Sequence, residues 1–328
     1  MAACKASIGR SKGNDMKPLK TGDTIGLVSP ASKAELSVFS GIAQIARSRG
    51  YSVKTFGSAD LSCGRMAGTD EERAANLLSA LNDPEVDAVL CSRGGYGSGR
   101  LLDVLEKSQF SPKIFVGYSD ITSLLLHFHA TGKMIPFHGP MASDLVTKGD
   151  KETLEWFFEV LEGQRLCYEL RPELFKIHRS GYAKGPFWGG NISMIQNMVG
   201  TDSIHVPEGA IVMLEDINEF MYSFDRSLVH LKRAGVFRDA SAIIFSDLKL
   251  KDGHDKDNSL GMLQEDVIDM NFSDFNGPII FGMPCGHTEA QMTLPLGVEA
   301  VLDARSDENL SLRFANFWGP SERGEVAA

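Results

Sequence analysis

Lys113-Ile-Phe-Val-Gly-Tyr-Ser-Asp-Ile-Thr122 decides how the first half of this chain is read. Residues 114–116 form a short, wholly apolar run, as a strand covered on both faces would, and Gly117 closes it. A helical stretch over 121–130 begins almost at once. Ser119 therefore falls on a tight strand-to-helix turn, its hydroxyl lifted clear of the sheet. The backbone N–H groups that follow it lie at a helix N-terminus, where developing negative charge is stabilised. The pattern is only part of a nucleophile elbow, because G-x-S-x-G needs Gly at position 121 and Ile stands there. Ser and Asp also suit an ordinary helix N-cap, so this segment alone leaves both readings open.

The same alternation runs outward from the turn. Strand signals at 24–29, 51–55 and 88–92 are separated by helical stretches at 33–49, 71–81 and 100–105. Continuous apolar strands between helices predict a parallel sheet with both faces covered, and in such sheets ligands collect beyond the carboxyl ends of the strands. An N-terminal α/β domain over 17–148 follows. Residues 149–184 mix a charged helix with irregular polar sequence and read as a linker. Short strands at 210–214, 242–245, 279–281, 298–302 and 310–314, with helices between them, predict a C-terminal α+β domain over 185–328.

The 328 residues exceed the usual size of a single core, in keeping with two domains. With 43% hydrophobic and 23% charged residues, the chain has the composition of an ordinary globular protein. Its net charge of −10 and the lack of a Lys/Arg cluster exclude a nucleic-acid partner. No apolar run approaches the roughly 18–20 residues that span a bilayer, so no membrane role is expected. Residues 1–16 carry positive charge without the apolar stretch of a signal peptide and read as a disordered leader. Five scattered cysteines form no C-x-x-C and suggest neither a disulfide framework nor a thiolate zinc site. Cytoplasmic residence is the expectation.

Ser92-Arg-Gly-Gly-Tyr-Gly-Ser-Gly-Arg100 follows an apolar strand and precedes a helix. It is not a P-loop, since no Lys-Ser/Thr follows, and its spacing does not match G-x-G-x-x-G. Four glycines in six residues exceed what a connection needs and allow close backbone approach to a ligand. One reading is an oxyanion loop in which Gly94 or Gly95 donates an N–H beside that of Asp120. A second carboxylate-bearing strand end, Leu214-Glu-Asp216, offers Glu215 to an imidazole, and His287 in Gly286-His287 has the context of a partly exposed base. A solvated acidic loop and a surface histidine are the plain alternatives. Asp216 also suits an N-cap for the helix entry at 220–224. Cys91 is the rival nucleophile, although a buried strand cysteine is more often inert. His127 and His129, two apart on a helix, cannot share a face, and the acidic stretch 252–257 lacks the glycine an EF-hand requires, so no metal is expected.

Taken together, Gly22-Asp-Thr-Ile-Gly-Leu-Val-Ser-Pro-Ala31, Arg93-Gly-Gly-Tyr-Gly97, Gly117-Tyr-Ser-Asp120, Leu214-Glu-Asp216, and Gly286-His287 followed by Leu294-Pro-Leu-Gly297 resemble the LD-carboxypeptidase family. That family includes muropeptide LD-carboxypeptidases and microcin C immunity peptidases. The resemblance runs over about residues 17–318 in unbroken order. It implies a flavodoxin- or Rossmann-like N-terminal domain and a C-terminal domain with a small β-barrel-like sheet. It also implies a serine peptidase with Ser119 as nucleophile, Glu215 as orienting acid and His287 as base, and with Asp120 and Gly95 as oxyanion donors. Gly94, Tyr96, Trp188 and Asn191 become candidate substrate contacts. The implied substrate is a murein tetrapeptide losing C-terminal D-alanine in cell-wall recycling, without any cofactor, in a homodimer. Two alternatives are kept: an aminoacyl-nucleotide substrate, for which an aromatic such as Trp188 would stack on the base, and a non-catalytic binding protein.

Overall fold

The computed structural model describes residues 16–246, 248–251 and 260–319. Its first sheet takes β1 (Thr24–Val28), β2 (Ser52–Thr55), β3 (Ala88–Cys91), β4 (Ile114–Gly117) and β5 (Pro136–His138), all parallel. Every residue of β3 and β4 is buried, which is why these strands read as unbroken apolar runs. Helices α1 (Leu36–Ser48), α2 (Asp70–Asn82), α3 (Leu102–Glu106), α4 (Thr122–Ala130) and α5 (Ala142–Thr147) cover the sheet. On α1 the buried residues Val38, Ile42 and Ala46 recur every four positions, forming one apolar stripe. Thr69 opens α2 with a capping box: its hydroxyl accepts from Glu72 N–H, and the Glu72 carboxylate accepts from Thr69 N–H.

After α6 (Lys151–Leu161), the second half supplies β6 (Cys167–Leu170), β7 (Lys176–Arg179), β8 (Gly181–Asn191), α7 (Ile192–Met198), β9 (Ile211–Glu215), β10 (Ile217–Phe220), α8 (Met221–Arg233), β11 (Ala242–Ser246) and β12 (Lys249–Lys251). It continues with α9 (Gln264–Phe272), β13 (Ile279–Met283), β14 (Leu294–Pro295), β15 (Glu299–Ser306) and β16 (Asn309–Phe314). Eight of these strands make one mixed sheet in the order β6-β16-β15-β8-β9-β11-β13-β7. Strands β8, β9, β11 and β13 are parallel, with antiparallel strands on either flank. The parallel-sheet N-terminal unit and a second sheet domain are the architecture expected, but the second sheet, expected to be small and barrel-like, is a mixed sheet of eight strands and the wider of the two.

The stretch 149–184 is not an irregular connection. It carries α6, β6, β7 and the start of β8, and β6 and β7 are the two ends of the second sheet. Edge strands of four residues with mixed exposure leave too short an alternation to read from sequence. Strand β14 crosses over to pair antiparallel with β5, Leu294 opposite His138, so the first sheet is completed by the second half of the chain. Of the expected leader only Met16 lies among the described residues. It is buried, and its carbonyl accepts from Gly319 N–H, so it is part of the fold. The acidic stretch 252–257 lies outside the described residues. Cys63, Cys91 and Cys285 are free thiols, whereas Cys167 is disulfide-bonded, a departure from the unpaired set expected. Among the described residues no helix is long and apolar enough to cross a membrane.

Candidate active site

Ser119 sits where the sequence placed it, in the three-residue turn between β4 and α4. Its φ of 62° is left-handed, a region that costs an ordinary residue about 1 kcal/mol or more and persists only when its surroundings impose it. The half-buried hydroxyl lies against Gly94, where a Cβ would come within 3.2 Å of Ser119 Cβ and 3.4 Å of its Oγ. A side chain at position 94 would crowd the serine, so glycine there eases the close approach of the loop.

Asp120 staples the two loops together. Its carboxylate accepts from Gly97 N–H at 3.2 Å and Ser98 N–H at 2.8 Å, and Ser98 Oγ donates to the Asp120 carbonyl. From α2 the buried Arg73 guanidinium donates to Pro30 and Gly97 carbonyls, tying the loops after β1 and β3 to each other. Neither Ser98 nor Arg73 stood out in the sequence. A buried arginine 24 residues from its acceptor leaves no local signal.

At the end of β9, Glu215 is wholly buried, and its Oε2 lies 2.6 Å from His287 Nδ1. Gly286, at φ 77°, precedes the histidine; a Cβ there would lie 2.7 Å from Glu215 Cγ, so only glycine lets this loop pass over the acid. Burial pulls the His287 pKa down, but the hydrogen bond and charge of Glu215, helped by Asp144 and Asp216, outweigh it and leave the pKa raised. Tyr118, next to Ser119, packs its ring edge-on against His287 with centroids 5.0 Å apart. The serine turn and the histidine loop therefore meet, although they come from different sheets. The Tyr118 hydroxyl donates to Asp144 Oδ1 at 3.0 Å, and Gln291 Nε2 donates to the Gly286 carbonyl. Tyr118, Asp144 and Gln291 are thus the support behind His287 that the sequence reading missed.

The other candidates divide. Gly95, at φ 106°, and Tyr96, which is exposed, both lie on the open side of the glycine loop. Trp188 and Asn191 do not face a cleft. Trp188 is wholly buried within β8 opposite Val212, and so presents no ring surface for a ligand to stack on. Asn191 caps α7, its Oδ1 accepting from Met194 N–H at 3.2 Å while its Nδ2 donates to Asp216 Oδ1 at 3.1 Å. Asp216 also accepts from Ser193 N–H and Oγ and from Ile217 N–H, so it serves the start of α7 rather than α8. Cys91 is fully buried, and burial holds its thiol pKa well above the ordinary value, which removes it as a nucleophile. His127 and His129 stand apart in role, His127 Nδ1 pairing with Ser203 Oγ at 2.9 Å.

Behind Tyr118, His138 is completely buried with neither ring nitrogen partnered, and burial pushes its pKa down to about 4. The unfolded chain, with its imidazole near 6.5, then binds a proton that the folded one does not. Stability from this residue is complete above pH 6.5 and drains as pH falls toward 4, amounting to about 3 kcal/mol across that window. The fall in urea midpoint between pH 7 and pH 5 should be smaller in His138→Gln than in the wild type, and an equal fall in both would contradict a neutral buried His138.

The arrangement joins a strained, accessible hydroxyl, a glycine loop at van der Waals distance from it, and an imidazole oriented by a buried carboxylate. That is the equipment of nucleophilic acyl transfer. The LD-carboxypeptidase N-terminal domain matches residues 25–139, and the LD-carboxypeptidase C-terminal domain matches residues 184–302. The murein tetrapeptide carboxypeptidase of Pseudomonas aeruginosa is 32% identical, over 73% of this chain and 79% of its own length. The microcin C7 self-immunity protein MccF of Escherichia coli is 28% identical, over 90% of this chain and 94% of its own. The crystal structure of muramoyltetrapeptide carboxypeptidase from Oxalobacter formigenes superposes with a TM-score of 0.77 at 28% identity, covering 90% of this chain and 99% of that one. With both domain matches on one chain and an architecture shared along almost its whole length, the protein belongs to the LD-carboxypeptidase family.

Proposed function

We propose that this chain is a serine carboxypeptidase that removes C-terminal D-alanine from murein tetrapeptides through an acyl-enzyme. The observation that carries the reading is the Glu215–His287 contact of 2.6 Å at the edge of the Ser119 turn. His287 accepts the hydroxyl proton as Ser119 Oγ attacks the carbonyl of the L,D bond. The N–H groups of Asp120 and Gly95 hold the tetrahedral oxygen, each worth roughly 2.7–4 kcal/mol by analogy with other oxyanion donors. The imidazolium formed is stabilised by Glu215 and then protonates the departing amine of D-alanine. Water, deprotonated by the same imidazole, releases the acyl group and restores Ser119. Every proton moved is returned, and no metal or organic cofactor enters the scheme.

The substrate follows from the relatives named above, two of which act on murein tetrapeptides by name. The MccF relative keeps an aminoacyl-nucleotide substrate as the second reading. Burial of Trp188 takes away the residue that would have favoured it. Cytoplasmic residence and a homodimer belong to the same proposal. The test is direct: the purified protein is incubated with a murein tetrapeptide, with its diastereomer ending in L-alanine, and with an aminoacyl sulfamoyl adenylate. Mass spectrometry should detect D-alanine from the first and little alanine from the second. Turnover of the adenylate alone would shift the assignment to the second reading, and turnover of none would leave a binding protein.

A further inference from the structure

An exopeptidase must recognise the free carboxylate beside the bond it cuts. In a peptide substrate that carboxylate is only three covalent bonds from the scissile carbonyl carbon, each of about 1.3–1.5 Å. Whatever binds it must therefore lie beside the oxyanion donors, and it should be cationic and free of other partners. Arg65 meets these conditions. Its Nη2 is 3.7 Å from where a Cβ on Gly95 would stand, so its guanidinium lies over the proposed oxyanion donor. Arg65 is exposed, and among the described residues its guanidinium makes no hydrogen bond or ion pair.

The same glycine touches a second unusual group. Ser32 is 4% exposed, its Oγ has no hydrogen-bond partner, and its Cβ is 2.8 Å from the Cβ position of Gly95. A buried hydroxyl left unpaired costs about 1–3 kcal/mol unless a ligand takes the bond. Both residues are held in place by the backbone. Ser32 N–H donates to the Gly94 carbonyl at 3.1 Å, Lys33 N–H donates to the Arg65 carbonyl at 3.2 Å, and Ser32 pairs with Met66 as an isolated bridge.

The place in the fold agrees. In the first sheet β1 has β2 on one side and β3 on the other, so the strand order reverses between β1 and β3. Ligands of open parallel sheets bind at this reversal, beyond the carboxyl ends of the strands. Ser32 follows β1 and Gly95 follows β3. We infer that Arg65 and Ser32 form the subsite for the substrate's terminal carboxylate, so that Arg65 is what makes the reaction exopeptidic. Arg65 binds as a charge-assisted donor and Ser32 Oγ as a neutral one, on the leaving-group side of Ser119.

This inference rests on the proposed peptidase reading, and the experiment separates the two. Initial rates are measured on a murein tetrapeptide and on its C-terminal amide, for the wild type, Arg65→Met, Arg65→Lys and Arg93→Met. The wild type should prefer the acid. Arg65→Met should raise KM for the acid roughly 10- to 100-fold with kcat within about threefold, and leave the amide within about twofold. Arg65→Lys should recover part of the acid preference. A wild type inactive on both peptides sinks the peptidase reading and this one with it. With an active wild type, the carboxylate assignment alone falls if acid and amide are cut equally, if Arg65→Met keeps the full preference, or if Arg93→Met is the variant that loses it.

Discussion

Replacing Ser119 with alanine should lower kcat/KM for a murein tetrapeptide by roughly 10⁴- to 10⁶-fold, the range seen when a triad nucleophile is removed from other serine hydrolases. The prediction isolates chemistry from folding because alanine keeps the Cβ, and with it whatever strain the left-handed φ of 62° already imposes. The Ser119 side chain has no hydrogen bond among the described residues, so its loss leaves no orphaned partner. Thermal unfolding of the variant should match wild type within a few degrees, and D-alanine release followed by mass spectrometry gives the rate. A loss of less than about tenfold in a folded variant would remove Ser119 from the reaction. Residual release well above the uncatalysed rate is still expected, since the glycine loop and the bound geometry remain.

Glu215→Gln should cost roughly 10³- to 10⁴-fold in kcat/KM and should also move the pH profile. His287 acts as a base only when neutral, so wild-type kcat/KM must rise with pH through the histidine's pKa, which is raised above 6.5. The two main influences raising it are the hydrogen bond and the charge of Glu215. Glutamine removes the charge, leaving burial to dominate, so the acid limb should shift to below pH 6.5. At high pH the rate should still be low, because an amide can turn its N–H toward Nδ1 and hold the wrong tautomer. The same shift has a sign for stability. The pair's contribution is complete below the unfolded pKa of about 6.5 and is lost as pH rises through the higher folded value. An acid limb that stays put in Glu215→Gln would mean that something other than Glu215 sets the histidine's proton affinity.

Several parts of this site lay on the surface of the sequence because single short segments encode them. The apolar run ending at Gly117 had to be a buried strand, and a helix starting within a few residues left Ser119 nowhere but the turn. The glycines at 94, 95 and 97 each answer a local demand: close approach to Ser119 at 94, left-handed φ at 95 and 97. Glu215 and His287 were readable as strand-end residues of the right kind, but their partnership came from motif order and not from any local spacing. Trp188 and Asn191 were misplaced for a related reason. The resemblance to the family put both at the site, whereas the two glycines between them, at φ 140° and 145°, belong to β8 where it packs against β9 and α4. A Cβ at Gly190 would stand 2.7 Å from Thr122 Cγ2, so the segment's composition serves the contact between β8 and α4.

The sequence alone therefore determined the alternation of elements in the first sheet, the position of Ser119 on its turn and the family to which the motifs belong. All of these depend on periodicity or on residues adjacent in the chain. Tertiary structure alone decided what stands behind and beside the turn. Glu215 meets His287 across 72 residues, Gln291 reaches Tyr118 across 173, and Arg65 comes to Gly95 through a loop pinned to the segment after β1. Contacts of that kind arise only when separate strands are brought side by side and their ends aligned. No window of sequence holds both partners, and a charge such as Arg65 acquires its meaning only from the loop it is brought to.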